Sequence, residues 1–261
     1  MIHMTSRHCR VCKTQSGRSI FTALILNQAV NYYECATCGY VQTEEPTWLD
    51  KAYASPINKC DTGMLQRNLS NVGIVLASLA CINQREGRVV DSAGGYGILV
   101  RLLRDAGIEA LWSDAYCQNL LAAGFEHTTE RADLVTAFEV FEHFVNPLEE
   151  MQKLLTTAPN LLLSTLLIPK PTPAPKDWWY YGLDHGQHIG FFRLQTLEFL
   201  ANKLGKHLVT DGAGYHFFTE NKVFNVKWKV AIKMGSRFPS LFSRDLKSKV
   251  WSDFQEMSNP K

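Results

Sequence analysis

The alternation of apolar and polar positions divides most of the chain into strands and helices that follow one another. Short apolar runs predict buried strands at 89–91, 108–114, 123–126, 132–138, 160–165, 207–211 and 215–219. Apolar positions spaced by three and four predict amphipathic helices at 64–85, 98–106, 146–157 and 194–204. Strands that alternate with helices predict an α/β fold, in which helices cover both faces of a mainly parallel sheet.

The N-terminal residues carry two Cys-x-x-Cys pairs, Cys9 with Cys12 and Cys35 with Cys38. Each pair can place two thiolates on one ion, and two pairs complete a tetrahedral Zn²⁺ shell. Residues 19–26 and 29–34 read as strands, which predicts a small zinc ribbon that depends on its metal for stability. Four protein ligands leave no open position, so we expect this zinc ion to be structural.

Four parts follow from these patterns: a zinc ribbon at 1–45, a connector with an N-terminal helix at 46–86, the α/β core at 87–220 and a helical tail at 221–261. Within the core, prolines and aromatic residues interrupt the regular pattern at 166–192, so we expect a lid there. The tail has nine basic and three acidic residues from Lys222 onward. We expect two amphipathic helices in this tail. Contact with an anionic surface or with a partner is one interpretation, and a solvated basic helix is the commoner one.

The composition fits one main domain with a small module, since 46% of the 261 residues are hydrophobic and 20% are charged. A net charge of +2 is too small to indicate a nucleic acid or an anionic membrane as partner. The sequence has neither a signal-peptide pattern nor an apolar run of about 18 residues, which favours a cytoplasmic protein. Seven cysteines favour metal thiolates over disulfides, with Cys60, Cys81 and Cys117 left as small buried hydrophobic residues.

A turn of small residues follows the first core strand, which Asp91 closes. The small residues are Ala93, Gly94, Gly95 and Gly97. They let a ligand approach a backbone whose amides point outward at the start of the next helix. We therefore expect this turn and Asp91 to bind the polar end of a cofactor, the alternative being an ordinary tight turn of an α/β domain.

Asp114 ends the second core strand, 23 residues after Asp91. At this distance a doubly wound sheet places a carboxylate on ribose hydroxyls, and a carboxylate can accept both hydrogen bonds of a diol. The alternative is that Asp114 caps a helix at 116–123. Polar residues near the start of the first long helix leave a similar choice between capping and lining the cofactor entrance: Asp61, Arg67 and Asn68.

Acidic, aromatic and imidazole side chains follow the fourth core strand and recur in the lid. Ligands of open α/β sheets lie beyond the carboxyl ends of the strands. We therefore expect four residues beside the site: Phe138, Glu139, Glu142 and His143. Glu142 and His143 could instead pair to fix their loop. The lid adds His185 and His188, and imidazoles suit proton transfer near neutral pH.

The small-residue turn resembles the first motif of class I S-adenosylmethionine (SAM)-dependent methyltransferases, acid-x-Gly-x-Gly-x-Gly, with Ala93 at the first glycine. Over residues 9–220 the chain resembles bacterial zinc-ribbon methyltransferases that modify glycans and nucleotide-sugars. The matching segments are the cysteine pairs, Asp-Thr-Gly-x3-Arg-Asn at 61–68, Phe-Glu-Val-Phe-Glu-His at 138–143 and Gly-Gln-His-Ile-x-Phe-Phe at 186–192. The resemblance implies a Rossmann-like sheet and a SAM cofactor, with Asp91, the small-residue turn, Asp114, Phe138 and Glu139 as candidate cofactor-binding residues.

Related nucleotide-sugar C-methyltransferases use a histidine after the fifth strand as catalytic base. His188 matches that position, and Gln187 stands where those enzymes have an acid. We rank His188 first, His185 second and His143 third as the base. The implied reaction is transfer of a methyl group from SAM to an oxygen or carbon of a sugar or glycan-type acceptor.

Two other functions stay open at this point. One is an RNA methyltransferase with an N-terminal zinc module, although residues 7–45 hold only four basic against three acidic side chains. The other is a zinc-ribbon adaptor whose Rossmann domain has lost catalysis. Ala93 in the glycine turn is consistent with the adaptor, but three glycines of the turn remain.

Overall fold

A computed structural model describes residues 8–54 and 61–259. The strands of this part are β1 (Ser19–Ile25), β2 (Gln28–Glu34), β3 (Val41–Thr43), β4 (Val89–Ser92), β5 (Ala110–Ser113), β6 (Leu134–Phe138), β7 (Leu161–Ser164), β8 (Gly190–Phe191), β9 (His207–Thr210) and β10 (Tyr215–Thr219). Its α-helices are α1 (Leu49–Ala52), α2 (Met64–Cys81), α3 (Ile98–Asp105), α4 (Pro147–Thr157), α5 (Leu194–Leu204), α6 (Asn225–Arg237), α7 (Ser240–Ser243) and α8 (Val250–Ser258). Short 3₁₀ helices lie at Phe141–His143, Pro175–Asp177 and Trp179–Tyr181.

The central sheet has six strands in the order β5-β4-β6-β7-β10-β9. Strands β5, β4, β6 and β7 are parallel, and β10 runs antiparallel to both β7 and β9. The carboxyl ends of the four parallel strands therefore lie at one edge of the sheet. The small-residue turn, Asp114 and the acidic segment after β6 all emerge at this edge, where ligands of α/β sheets bind.

Neighbouring residues of the central strands pack on opposite faces of the sheet. Leu161 and Leu163 of β7 belong to a core cluster that includes Met151 of α4 and Leu197 of α5. Leu162 between them belongs to a second cluster, built with residues of α2, α3 and α6. Because side chains alternate across a strand, a run of leucines fills both layers. This arrangement confirms the predicted α/β class with helices on both faces.

Helices α2 and α6 touch through their backbones. A Cβ atom on Gly73 would lie 1.9 Å from the carbonyl oxygen of Gly235, so no larger residue fits at this crossing. Nearby, the indole N–H of Trp228 donates a hydrogen bond to the Ser78 hydroxyl at 3.0 Å, both side chains being fully buried. The first tail helix is thus part of the core packing on this face of the sheet.

A second sheet joins the N-terminal module to the predicted lid. Its order is β1-β2-β3-β8, and β8 comes from residues 190–191. Val41 is in register with Phe191, and the backbone N–H of Thr43 donates to the Ile189 carbonyl oxygen at 3.0 Å. The buried guanidinium of Arg10 donates to the carbonyl oxygens of both Ile189 and Thr43. These contacts hold the residues around His188 against the cysteine-bearing module.

Several local predictions are wrong. Residues 123–126 form no strand, since a single bridge joins Glu126 to Trp112, and residues 116–123 form no helix. Asn119 explains the irregular path, because its side chain bonds both the N–H and the carbonyl of Ala122 and so competes with regular structure. The described part of the tail, 221–259, has three α-helices instead of the two expected. Cys81 and Cys117 are only partly buried, and Cys60 lies outside the described residues.

Within residues 8–54 and 61–259, no helix is both long enough and apolar enough to cross a bilayer.

Candidate functional site

The four paired cysteines converge at the base of the N-terminal module. The Sγ atoms of Cys9 and Cys38 are 3.6 Å apart, those of Cys12 and Cys35 are 3.4 Å apart, and all four lie within 4.8 Å of one another. Zn–S bonds of about 2.3 Å in a tetrahedron require sulfur separations near 3.8 Å, so the cluster fits one zinc ion. Pairing with Cys38 lowers the pKa of Cys9 to about 5, which suits a thiolate ligand.

Backbone hydrogen bonds shape each cysteine pair into a tight turn. Lys13 N–H donates to the Cys9 carbonyl and Gly39 N–H to the Cys35 carbonyl, both at 2.9 Å. The hydroxyl of Thr196 in α5 donates to the carbonyl oxygen of Cys38 at 2.8 Å. The cysteine cluster is therefore fixed directly to a helix of the core.

The small-residue turn has a backbone that favours glycine. Three of its residues have positive φ: Ala93 at 55°, Gly95 at 54° and Gly97 at 83°. This conformation costs a residue with a side chain about 1–2 kcal/mol, so Ala93 is a strained position that only a small residue would occupy readily. A Cβ atom on Gly94 would lie 3.0 Å from the carboxylate of Asp91. Gly94 therefore packs directly on Asp91 and the Trp112 ring, and no larger residue fits there without a shift.

Asp91 lies under this turn and is buried. The Thr136 hydroxyl of β6 donates to its Oδ1 atom at 2.5 Å. Burial raises the pKa of Asp91 to about 7 against the lowering effect of the Thr136 hydrogen bond, and the charge of Asp114 adds to the rise. At neutral pH the carboxyl group is therefore close to the point where it changes charge.

Asp114 faces the small-residue turn. Its Oδ2 atom accepts a hydrogen bond from the backbone N–H of Gly95 at 2.9 Å. Its Oδ1 atom accepts from the N–H groups of Tyr116 and Cys117 at 2.7 and 2.8 Å. The capping alternative thus describes part of its role, although the segment that it caps is a turn and not a helix. Its assignment to a ribose remains a prediction.

Glu139 follows Phe138 at the end of β6 with a positive φ of 55°. Its N–H donates to Ser164 at the end of β7, at 2.9 Å to the hydroxyl and 3.1 Å to the carbonyl. The Ser164 hydroxyl in turn donates to Glu139 Oε1 at 2.6 Å. Strained residues with such support cluster at functional sites, which agrees with the predicted position of Glu139. The Phe138 ring makes an edge contact with Tyr215 at 6.1 Å.

Tyr180 connects Glu139 and Glu142. Its hydroxyl lies 2.8 Å from Glu142 Oε1 and 3.2 Å from Glu139 Oε2, within donating distance of both. Burial, with the charge of Glu139, raises the pKa of Glu142 to about 8. This rise favours the protonated form of the Glu142 carboxyl group near neutral pH.

His143 and His188 lie next to each other beside Glu142, with ring centroids 4.9 Å apart. Glu142 Oε1 is 3.8 Å from His143 Nε2 and 4.0 Å from His188 Nε2. Burial lowers the pKa of His188 to about 4 and that of His143 well below its ordinary value. The 3.8 Å between Glu142 and His143 exceeds a hydrogen-bonding distance, so these two side chains are in contact without a hydrogen bond between them.

Each histidine is oriented through its Nδ1 atom. His188 Nδ1 lies 2.6 Å from the carbonyl oxygen of Tyr180, so it carries the proton and leaves Nε2 unprotonated when the ring is neutral. His143 Nδ1 lies 2.7 Å from the Tyr53 hydroxyl. His185 Nδ1 accepts from the N–H of Gln187 at 3.1 Å, and its ring lies 4.8 Å from that of His188. The three predicted base candidates are therefore neighbours.

The cofactor-type residues and the histidine cluster lie at the ends of adjacent strands, β4 and β6. Tyr53 joins the two groups, because it contacts His143 through its hydroxyl and stacks on Tyr116, two residues after Asp114, at 5.7 Å. Sequence reasoning missed Tyr53, Tyr180 and Ser164. Tyr180 belongs to the aromatic run of the lid, and that run is the signal by which it could have been found. Tyr53 lies in a connector that carries no motif.

A family model described as a methyltransferase domain matches residues 66–210. The chain belongs to this family. The matched range of the methyltransferase domain contains the small-residue turn, Asp114, the segment after β6 and the histidines of the lid. The cysteine pairs lie outside it.

No curated protein sequence matches this chain. Solved structures that resemble it include TnmH, with 19% identity and a TM-score of 0.47 over 68% of this chain and 62% of that one. An O-methyltransferase family protein from Burkholderia thailandensis has 12% identity and a TM-score of 0.48 over 68% of this chain and 64% of that one. The 1,6-didemethyltoxoflavin-N1-methyltransferase of the same organism, with bound S-adenosylhomocysteine, has 14% identity and a TM-score of 0.48 over 76% of this chain and 96% of that one. The chain spans less than two thirds of the length of the first two.

Proposed function

We propose that this methyltransferase domain transfers a methyl group from SAM to a hydroxyl group or carbon of a sugar or glycan-type acceptor. The observation that supports the proposal most directly is the placement of two groups at adjacent strand ends. A turn suited to the polar end of a cofactor follows β4, and Glu142 and His143 follow β6, where His188 of the lid joins them. Bound SAM would supply a methyl group already activated on a sulfonium, so the protein has mainly to align the donor with the acceptor and exclude water.

In this proposal the donor side is formed by the turn from Ala93 to Gly97, with Asp91 beneath it and Asp114 beside it. The amides of the turn and the start of α3 suit the carboxylate of the SAM amino-acid end. Three amide partners use three of the about four lone-pair sites of the Asp114 carboxylate, which leaves one for a ribose hydroxyl. Phe138 and Glu139, at the end of β6, complete this side.

The acceptor side is the histidine cluster. His188 remains the first candidate for the base, since its Nδ1–H is held by the Tyr180 carbonyl and its Nε2 atom is the proton acceptor. His185 and His143, which adjoin it, follow in that order. The aromatic residues of the lid suit the apolar faces of a sugar ring, which is why a sugar-type acceptor is preferred.

We also propose that the four cysteines bind a structural zinc ion. Their mutual distances and their burial beside α5 support a closed shell that fixes the second sheet to the core.

The test of the function combines binding with transfer. Calorimetry of the purified chain with SAM should give a saturable signal, and nucleotide-sugars incubated with labelled SAM should gain one methyl mass. His188→Ala should abolish transfer and retain SAM binding, whereas His207→Ala, at an exposed histidine on β9, should retain both. An absence of SAM binding by a folded chain would overturn the proposal and favour the adaptor, and transfer to RNA alone would replace the acceptor class.

A further inference from the structure

Three potential metal ligands at the acceptor side lie around one point. They are a carboxylate oxygen of Glu142 and one ring nitrogen each of His143 and His188, all within 4.8 Å of one another. They come from two segments far apart in sequence, the 3₁₀ helix after β6 and the loop before β8. The N–H of Ile189 donates to the carbonyl oxygen of Glu142 at 2.8 Å, which ties these two segments together. The cluster is thus built by the fold.

Both imidazoles are held by their other nitrogen. Tyr53 contacts His143 Nδ1 and the Tyr180 carbonyl contacts His188 Nδ1, so both Nε2 atoms are left toward Glu142. Histidines that bind metals typically have such a partner on the second nitrogen, which fixes the tautomer and the ring orientation. A single general base explains one oriented imidazole, whereas two imidazoles aimed at the same carboxyl group are typical of a metal site.

The burial of the Glu142 carboxyl group is a second observation that points to a bound ligand. Its side chain has no exposed surface, and its Oε2 atom is buried without a hydrogen-bond partner in the described residues. A buried carboxyl oxygen in this state is rare and requires an explanation. Oε1 of the same carboxylate faces the two histidine Nε2 atoms, and a cation bound through both carboxylate oxygens would give Oε2 its missing partner.

We propose that Glu142, His143 and His188 bind one divalent transition-metal ion, with positions left open for a ligand. Two imidazoles and a carboxylate are the protein ligands of many catalytic zinc sites and of non-haem iron sites. Tetrahedral bonds of about 2.0–2.1 Å require donor separations near 3.3 Å, so the separations of 3.8 and 4.0 Å must contract by about half an ångström. The two histidine nitrogens, which lie within 4.8 Å of each other, must move closer as well.

The role of the ion rests on the proposed function. An acceptor hydroxyl bound at an open position would have a lowered pKa and release its proton to bulk water. Its oxygen would then form a bond to the SAM methyl carbon, while the carbon–sulfur bond breaks and its electron pair stays on the sulfur of S-adenosylhomocysteine. In this scheme His188 acts through the ion, and the preferred acceptor atom is oxygen.

Cobalt titration of the full-length chain tests the site, because Co²⁺ in a four-thiolate shell gives strong sulfur-to-metal absorption and a histidine and carboxylate site does not. We expect two Co²⁺ equivalents per metal-free chain, one with and one without the thiolate bands. His188→Ala and His188→Asn, which keeps a polar side chain, should each lose only the second equivalent. Tyr53→Phe should weaken it about 10- to 100-fold.

His185→Ala is the matched control, since His185 adjoins His188 and lies outside the ligand set. It should keep both equivalents. A single equivalent with thiolate bands in the wild type, or equal losses in His185→Ala and His188→Asn, would overturn the inference. Calorimetry with SAM on the same samples separates the two proposals, because SAM binding without a second metal ion would leave the methyltransferase standing and remove only the metal site.

Discussion

Asp253 of α8 accepts hydrogen bonds from two nitrogen atoms of Arg104 in α3, at 2.8 Å from Nε and 2.7 Å from Nη2. Both residues are buried, and the Arg104 guanidinium also lies 3.6 Å from the centroid of the Phe125 ring. A second arginine, Arg101, donates to the same carboxylate at 2.7 Å. The tail helix is therefore clamped onto the helix that begins at the small-residue turn.

Asp253→Asn should lower the free energy of unfolding by about 3 kcal/mol, because it leaves the buried Arg104 guanidinium without its negative partner. Urea denaturation at pH 7 measures the loss. Asp105→Asn is the matched control, since Asp105 pairs with Arg101 at the surface and exposed pairs contribute less than about 1 kcal/mol. Similar losses in the two variants would contradict this account of the clamp.

Gly97→Ala should weaken SAM binding at least about tenfold, which corresponds to about 1.4 kcal/mol. Gly97 has a φ of 83°, and an added Cβ atom would lie 2.7 Å from Asn119 Oδ1 and 3.0 Å from the Ala122 side chain. The turn would have to move to accommodate it. Calorimetry with SAM measures the effect, and Gly17→Ala is the control because its Cβ would meet open space. Unchanged affinity in Gly97→Ala would show that SAM does not depend on this turn.

The sequence predicts the parts of the fold that local periodicity encodes. Helix α5 begins and ends at the predicted residues 194–204, and the apolar runs place β4, β6 and β7 to within two residues. The two-residue strand β8 could not be predicted, because its pairing with β3 depends on a partner about 150 residues away in sequence. The error at 123–126 has the opposite cause, since Asn119 side-chain bonds override a short apolar pattern that has no neighbouring strand to pair with.

Some residues of the candidate site could likewise be predicted from the sequence and others could not. The small-residue turn and the histidines could be recognised from residue type and spacing alone. Tyr53 and Tyr180 could not, because a tyrosine hydroxyl becomes part of the site only when the fold brings it to His143 or to Glu142. Residues that orient other residues carry no local pattern, so they are found from the structure.

Cys35→Ser should remove one zinc equivalent per chain and loosen the second sheet. The cysteine cluster is fixed to α5 through Cys38, and β3 of the same module pairs with β8 next to His188. Loss of the ion should therefore speed amide hydrogen exchange at 41–43 and at 189–191, measured by mass spectrometry together with metal content. Cys117→Ser, at a cysteine remote from the cluster, should change neither. Normal exchange at 189–191 in a zinc-depleted chain would mean that the lid holds β8 without the module.

The pKa of Asp91 predicts how stability depends on pH. Burial raises this pKa from 3.8 to about 7, although the Thr136 hydrogen bond lowers it and the Asp114 charge adds to the rise. Between these two values the folded chain keeps a proton that the unfolded chain has released. The Asp91 contribution to stability is therefore full below about pH 4, falls as the pH rises to about 7, and is level above that, with a maximum slope of about 1.4 kcal/mol per pH unit.

Asp91→Asn should remove this part of the slope, since the amide does not titrate and can still accept the Thr136 hydrogen bond. Urea denaturation at pH 5, 6, 7 and 8 gives the free energy of unfolding of the wild type and of the variant. The difference between the two isolates the Asp91 contribution, because other titrating groups such as Glu142 contribute equally to both. Thr136→Val is a second variant, and it should shift the pH dependence of stability in one direction. It removes the hydrogen bond that lowers the Asp91 pKa, so the pH at which the slope ends should move upward. Parallel curves for Asp91→Asn and the wild type would mean that Asp91 is ionised throughout this range in the folded chain.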